Sequence, residues 1–155
     1  MKTNIIKRFI TITAALTFTF AMSAGTVSAQ GALPNGFDND NGTITDGGLV
    51  WLKNADCFGK QNWQTATNSA AGLHSGMCGL TDKSTAGQWR LPTLPELKRR
   101  IRNDSGFNNV QSGNYWTSES FDGNTKAAWY VSPGVRAETL YKSYNLYVWP
   151  VRAGQ

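Results

Sequence analysis

Four cations fall within five consecutive positions, at Lys98, Arg99, Arg100 and Arg102. Guanidinium groups grip sulfate or carboxylate through a planar fork of donors, so the run reads as an anion-binding patch. The plainer reading is the solvated face of a helix, because cations near a helix C-terminus suit the macrodipole. A second constellation spans residues 136 to 145, where Arg136, Glu138, Tyr141, Lys142, Tyr144 and Asn145 mix flat aromatic faces with polar groups. A sugar or protein site needs that mixture, and Tyr supplies contact area at low entropy cost. The candidate ligand-binding set is therefore Lys98, Arg99, Arg102, Arg136, Tyr141, Lys142, Tyr144 and Asn145.

Catalytic and metal chemistry are poorly served. His74 is the sole histidine, and its place beside Leu73 on an expected helix suits a surface or half-buried side chain. Neither Gly-x-Ser-x-Gly nor His-Glu-x-x-His occurs. A glycosidase pair would have to be recruited from acids such as Glu119, Asp122 and Glu138. Structural zinc wants four ligands, whereas the chain has two Cys and one His. The segment from Phe37 to Thr45 spells Asp38-x-Asp40-x-Gly42, but a calcium loop needs more oxygen ligands and a distal Glu, and only Asp46 follows. Asn41-Gly42 beside β-branched Thr43 and Ile44 reads instead as a hairpin turn. No catalytic residue, metal or cofactor is expected.

Where the charge sits narrows the partners. The 155 residues hold 15 Lys plus Arg against 10 Asp plus Glu, a formal +5, which invites nucleic acid or a membrane surface. Lys2, Lys7 and Arg8, however, head an uncharged run from Phe9 to Met22 that ends in Val27-Ser28-Ala29, the pattern of a cleaved export signal over 1–29. The run is shorter than the roughly 20 residues that span a bilayer, and no cysteine near the cleavage site offers lipid attachment. The remaining 30–155, a single expected domain, carries only +2, which leaves nucleic-acid binding without support and the mature chain without a membrane span. Secretion or the periplasm is the expected destination. In an oxidising compartment Cys57 and Cys78 read most simply as a disulfide; they are not spaced as a C-x-x-C redox pair.

The elements that must position these residues follow from pattern. Forty per cent hydrophobic and 12% aromatic residues exclude a disordered chain. Leu49-Val50-Trp51-Leu52 is a strand buried on both faces. Trp63, Ala66, Ala70, Leu73 and Met77 mark a helix that Asn62 caps and Gly76 ends. Thr93-Leu94-Pro95-Glu96 is a capping box opening a second helix with Leu94, Leu97 and Ile101 buried and the four cations fanned opposite. From Tyr115 onward, aromatic and β-branched runs separated by turns predict strands. The last, Leu146 to Val151, carries Pro150 and must be an edge strand or bulge there. Trp89 and Trp116 read as core and Arg90 as a structural donor. The plan is α+β.

These blocks in order, Gly42-Thr43-Ile44-Thr45-Asp46, Gly48-Leu49-Val50-Trp51, Trp89-Arg90-Leu91-Pro92-Thr93, Tyr115-Trp116-Thr117-Ser118, Ala128-Trp129-Tyr130-Val131 and Val148-Trp149-Pro150-Val151-Arg152, resemble the Lcl C-terminal domain family. The family takes its name from the end of a bacterial collagen-like adhesin. The resemblance implies a C-type-lectin-like fold: two helices on one twisted antiparallel sheet whose first and last strands pair. It also implies adhesin-like recognition of a sulfated or acidic polysaccharide such as a glycosaminoglycan, or of a cell-surface protein. The founding adhesin is a homotrimer aided by a collagen-like stalk, and this chain has no Gly-x-y repeat. Nor does it contain the Glu-Pro-Asn, Gln-Pro-Asp or Trp-Asn-Asp motifs by which C-type lectins hold calcium and sugar. A structural or envelope-assembly module with no small ligand is the alternative reading, with a lectin-like-fold enzyme behind it.

Overall fold

Asn41 and Gly42 turn the chain as the pattern predicts. A computed structural model describes residues 36–154; the expected export signal lies outside them. Strand β1 (Phe37–Asp38) pairs antiparallel with β2 (Thr43–Asp46). Gly42 takes φ +84°, and the Asn41 carboxamide oxygen accepts the Thr43 N–H and O–H at 3.2 and 2.6 Å. Gly47-Gly48 then leads into β3 (Leu49–Leu52), whose Val50, Trp51 and Leu52 are buried.

Beyond β4 (Lys60–Gln61), α1 (Trp63–Gly72) starts where Asn62 accepts the Thr65 N–H at 3.0 Å. It stops at Gly72 rather than Gly76. Leu73 leaves the helix at ψ 135° and buries its side chain completely, while the Gly87 N–H caps the Ala71 carbonyl at 2.7 Å. A helix of this length exposes four C-terminal carbonyls, and a neighbouring loop satisfies one of them earlier than the apolar spacing indicated. Helix α2 (Leu94–Arg102) has the expected capping box, with Glu96 accepting the Thr93 N–H at 2.8 Å. Glu119, 25 positions later, accepts the next free donor, Leu94 N–H, at 2.9 Å.

Strands β5 (Tyr115–Phe121), β6 (Asn124–Val131) and β7 (Ala137–Tyr141) form a meander, followed by β8 (Leu146–Tyr147) and β9 (Val151–Ala153). The architecture is α+β, as expected, but the single antiparallel sheet is corrected to two: β1-β2-β3-β9 and β4-β8-β5-β6-β7, with β5 and β8 parallel. Pro150 is the reason. Lacking an N–H, it splits the last run, sending Leu146–Tyr147 to one sheet and Val151–Ala153 to the other. Its carbonyl accepts the Leu52 N–H at 3.1 Å. The last strand pairs with β3, while β1 forms the opposite edge of that sheet, so the first and last strands do not pair directly.

Two cores result. One gathers Trp51, Trp89 and Trp149 with Leu97 of α2, Tyr115 and Val131; Trp51 and Trp149 meet edge-on at 5.7 Å. The other packs Ala66 and Ala70 of α1 on Trp116, Ala128, Tyr130 and Val148. Burying one such Trp contributes roughly 4–6 kcal/mol before the opposing chain entropy. Helices α1 and α2 thus pack on opposite faces of the five-stranded sheet. The Cys57–Cys78 disulfide, Cα atoms 5.7 Å apart, ties the entry to α1 to the loop beyond it.

Candidate functional site

The four cations of α2 separate into two roles. Arg100 is 1% exposed, with Nη1 3.0 Å from Asp46 Oδ2 and its guanidinium 4.3 Å above the Phe107 ring. Burial pushes its pKa down and Asp46 opposes that shift. The expected solvated face is corrected accordingly: Arg100 follows Leu97 by three positions and so faces the core. Arg99 is half-exposed and reaches the same carboxylate at 3.3 Å and the Asp46 carbonyl at 3.1 Å. It lies against Gly47, whose φ of +57° favours glycine and where a Cβ would stand 2.1 Å from Nη1 and displace the guanidinium. Lys98 and Arg102 make no hydrogen bond or ion pair among the described residues and are the cations of α2 left for a ligand.

The late segment is organised around Lys142. Its Nζ sits 4.2 Å above the Trp63 ring and 2.6 Å from Ser120 Oγ, and its carbonyl accepts the Trp63 N–H at 3.0 Å. Trp63 in turn donates Nε1–H to the Thr117 carbonyl at 2.8 Å. Lys142 therefore braces the turn that follows β7 against the start of α1. That turn closes with Tyr144 N–H on the Tyr141 carbonyl at 3.0 Å, and it holds Tyr141 and Tyr144 in solvent, 54% and 56% exposed. Asn145 and Arg136 are exposed as well.

Strand alternation decides which candidates meet. Ala137, Thr139 and Tyr141 pair with Val131, Trp129 and Ala127, and Val131 belongs to the core under α2. Tyr141 therefore lies on the α2 side of the sheet with Lys98 and Arg102, whereas Glu138, Leu140 and Lys142 lie on the α1 side. Arg136 sits at the other end of β7 from Tyr141, about 16 Å away by strand rise. There the turn at Pro133 and the end of α2 at Ile101 and Asp104 line one pocket.

Next to Tyr141 is a groove of about 240 Å³ lined by Phe121, Asn124, Ala127, Thr139 and Leu140. Phe121 is held edge-on to Trp129 at 5.7 Å. Phe121 and Asn124 escaped the sequence reading, although Asp122-Gly123 between them is a hairpin signal that would have placed both beside β7.

The acids are largely absorbed by the fold. Glu96 binds Arg90 through both oxygens at 2.7 and 2.8 Å, and this contact, with the Thr93 N–H, holds its pKa at about 2. Asp82 pairs with Arg152 at 3.1 Å, and Asp38 with Lys53. Glu119 caps α2, and Glu138 accepts the Tyr130 O–H at 2.6 Å, raising the Tyr130 pKa. His74 lies beyond α1, exposed, with Nδ1 2.9 Å from the Gly72 carbonyl. Among the described residues no three His, Cys, Asp or Glu side chains stand close enough to hold a metal ion, and no helix is long and apolar enough to cross a membrane.

No curated protein matches the chain. Residues 42–152, from the first hairpin through β9, match the Lcl C-terminal domain family. The chain belongs to that family.

Proposed function

We propose that the protein is an exported, non-catalytic recognition domain of adhesin type, and that its ligand is an anionic glycan. The observation carrying this reading is the braced turn that holds Tyr141 and Tyr144 more than half exposed. Exposed aromatic faces on a rigid support suit the flat C–H faces of sugars, and they lose little entropy on binding. Lys98 and Arg102, without an ion pair among the described residues and on the same side of the sheet as Tyr141, supply attraction for sulfate or carboxylate groups. Arg102, next to Ile101 at the Pro133 end, and Arg136 both stand about 16 Å along β7 from Tyr141 and suit a later charge of an extended chain. Membership in the Lcl C-terminal domain family supports a binding module outside the cell, and the Cys57–Cys78 disulfide supports an oxidising compartment. A C-type-lectin-like fold belongs to the same reading, supported by the joining of N-terminal β3 to C-terminal β9.

The test is an array of neutral, carboxylated and sulfated glycans probed at low and moderate salt. Retention of sulfated glycans that weakens with salt is the expected result, because surface charges are screened. Silence across the array from folded protein would overturn the glycan reading and favour a protein surface as the partner.

A further inference from the structure

Strand β7 is an edge of the five-stranded sheet. Its ladder with β6 is anchored by Lys142 N–H to the Lys126 carbonyl at 2.8 Å and Ser132 N–H to the Arg136 carbonyl at 3.0 Å. Antiparallel bonding alternates, so Glu138 and Leu140 also bond inward, and Ala137, Thr139 and Tyr141 turn their backbone groups outward. Among the described residues the outward groups of Ala137 and Thr139, and the Tyr141 N–H, have no partner. Native edges are commonly protected by proline, a bulge or inward-pointing charge. The strand Ala137-Glu138-Thr139-Leu140-Tyr141 holds no proline and pairs with β6 in unbroken register, so the inward lean of Glu138 and of the flanking Lys142 is its one protection of this kind.

We propose that this edge pairs antiparallel with the same edge of a second copy, about a two-fold axis at Leu140. Charge selects the register. An axis at Glu138 would oppose two carboxylates, and one at Thr139 would oppose Arg136 and Lys142. An axis at Leu140 sets Leu140 on its own copy and Glu138 opposite Lys142 at both ends, with Thr139 and Tyr141 exchanging main-chain bonds, the Tyr141 carbonyl accepting a bond there in addition to that from the Tyr144 N–H. Glu138 and Lys142 bond inward to Tyr130 and to Ser120 in the single chain, so pairing exchanges those contacts for the two symmetry-related Glu138–Lys142 pairs across the seam. The contact is isologous and closed. The two sheets become one, with both Tyr141 side chains on its α2 side. The inference is independent of the glycan reading, since it is read by oligomeric state alone.

Sedimentation velocity of the exported full-length protein over a wide concentration range tests it. A reversible monomer–dimer equilibrium is expected. Thr139→Pro removes an outward N–H without touching the ladder to β6 and should leave only monomer, with thermal unfolding as the check on the fold. Glu138→Lys should weaken the dimer roughly tenfold, because two symmetry-related pairs turn repulsive. Adding Lys142→Glu should restore it; within one chain these positions are too far apart along the strand to compensate each other. A monomer at every concentration, a trimer, or a dimer indifferent to Thr139→Pro and Glu138→Lys would overturn the proposal. If Thr139→Pro fails to fold, the charge swap and its reversal decide.

Discussion

Arg100 reaches Asp46 across 54 positions of sequence, Nη1 to Oδ2 at 3.0 Å, and so fastens the last turn of α2 to the end of β2. The contact is asymmetric. Arg100 is buried and its Nε and Nη2 find no acceptor among the described residues, whereas Asp46 keeps a second partner in Arg99.

That asymmetry orders two substitutions. Asp46→Asn leaves a buried guanidinium without its counter-charge and should cost about 3 kcal/mol or more. Arg100→Met removes the buried charge together with its two unpaired donors and still packs on Phe107; it should cost about 1 kcal/mol or less. Urea unfolding of both variants checks the order. A costlier Arg100→Met would mean that the ion pair, rather than packing, secures α2 there.

Glu96 makes the fold acid-sensitive in a defined window. Its contacts with Arg90 and the Thr93 N–H hold its pKa at about 2, below the ordinary 4.5. A carboxylate lowered in the folded state contributes stability that is present above its unfolded pKa and lost as pH falls through the folded one. Stability should therefore decline between pH 4.5 and about 2. Glu96→Gln keeps a capping side chain but does not titrate, so its melting temperature should fall less over that window. Glu96→Ala also loses the cap and should cost about 1–2 kcal/mol at neutral pH.

What the sequence disclosed was local chemistry. The capping box at Thr93 and Glu96, the turn at Asn41-Gly42, the Asn62 cap and the buried Leu49–Leu52 strand each depend on residues within a few positions of one another. What escaped it was settled across the chain. Glu119 caps α2 from 25 positions away, the Gly87 N–H ends α1 early, and Pro150 divides one predicted strand between two sheets. Arg100 shows the limit most clearly, because a stripe drawn from apolar residue types passes over a charged side chain lying in the stripe. For the candidate site, residue types located the Tyr141–Tyr144 turn, but only the fold gives Lys142 its bracing role.

The disulfide should matter most for the segment around α1. It joins positions 21 apart, and loop-closure entropy for a loop of that size amounts to about 3 kcal/mol. The Cys57→Ser, Cys78→Ser double variant should unfold at lower urea by about that amount, as read by far-UV circular dichroism. If glycan binding is carried by the turn after β7, reduction should weaken it only as far as Trp63, and with it the Lys142 brace, is displaced.

Ligand binding separates the two classes of α2 cation. Tyr141→Ala or Tyr144→Ala should weaken binding to a sulfated glycan by up to about tenfold, the scale of one aromatic contact. Lys98→Gln and Arg102→Gln remove cations free to meet the ligand, so each should lower affinity at low salt and flatten its salt dependence. Arg99→Gln removes a cation already held at 3.3 Å by Asp46, which it shares with Arg100, and its effect should be smaller than that of Arg102→Gln. Titrations of the five variants at two salt concentrations give the comparison. An Arg99 effect equal to that of Arg102 would show that the ligand competes with Asp46 for the guanidinium, moving the site from the sheet edge toward the turn at Gly47.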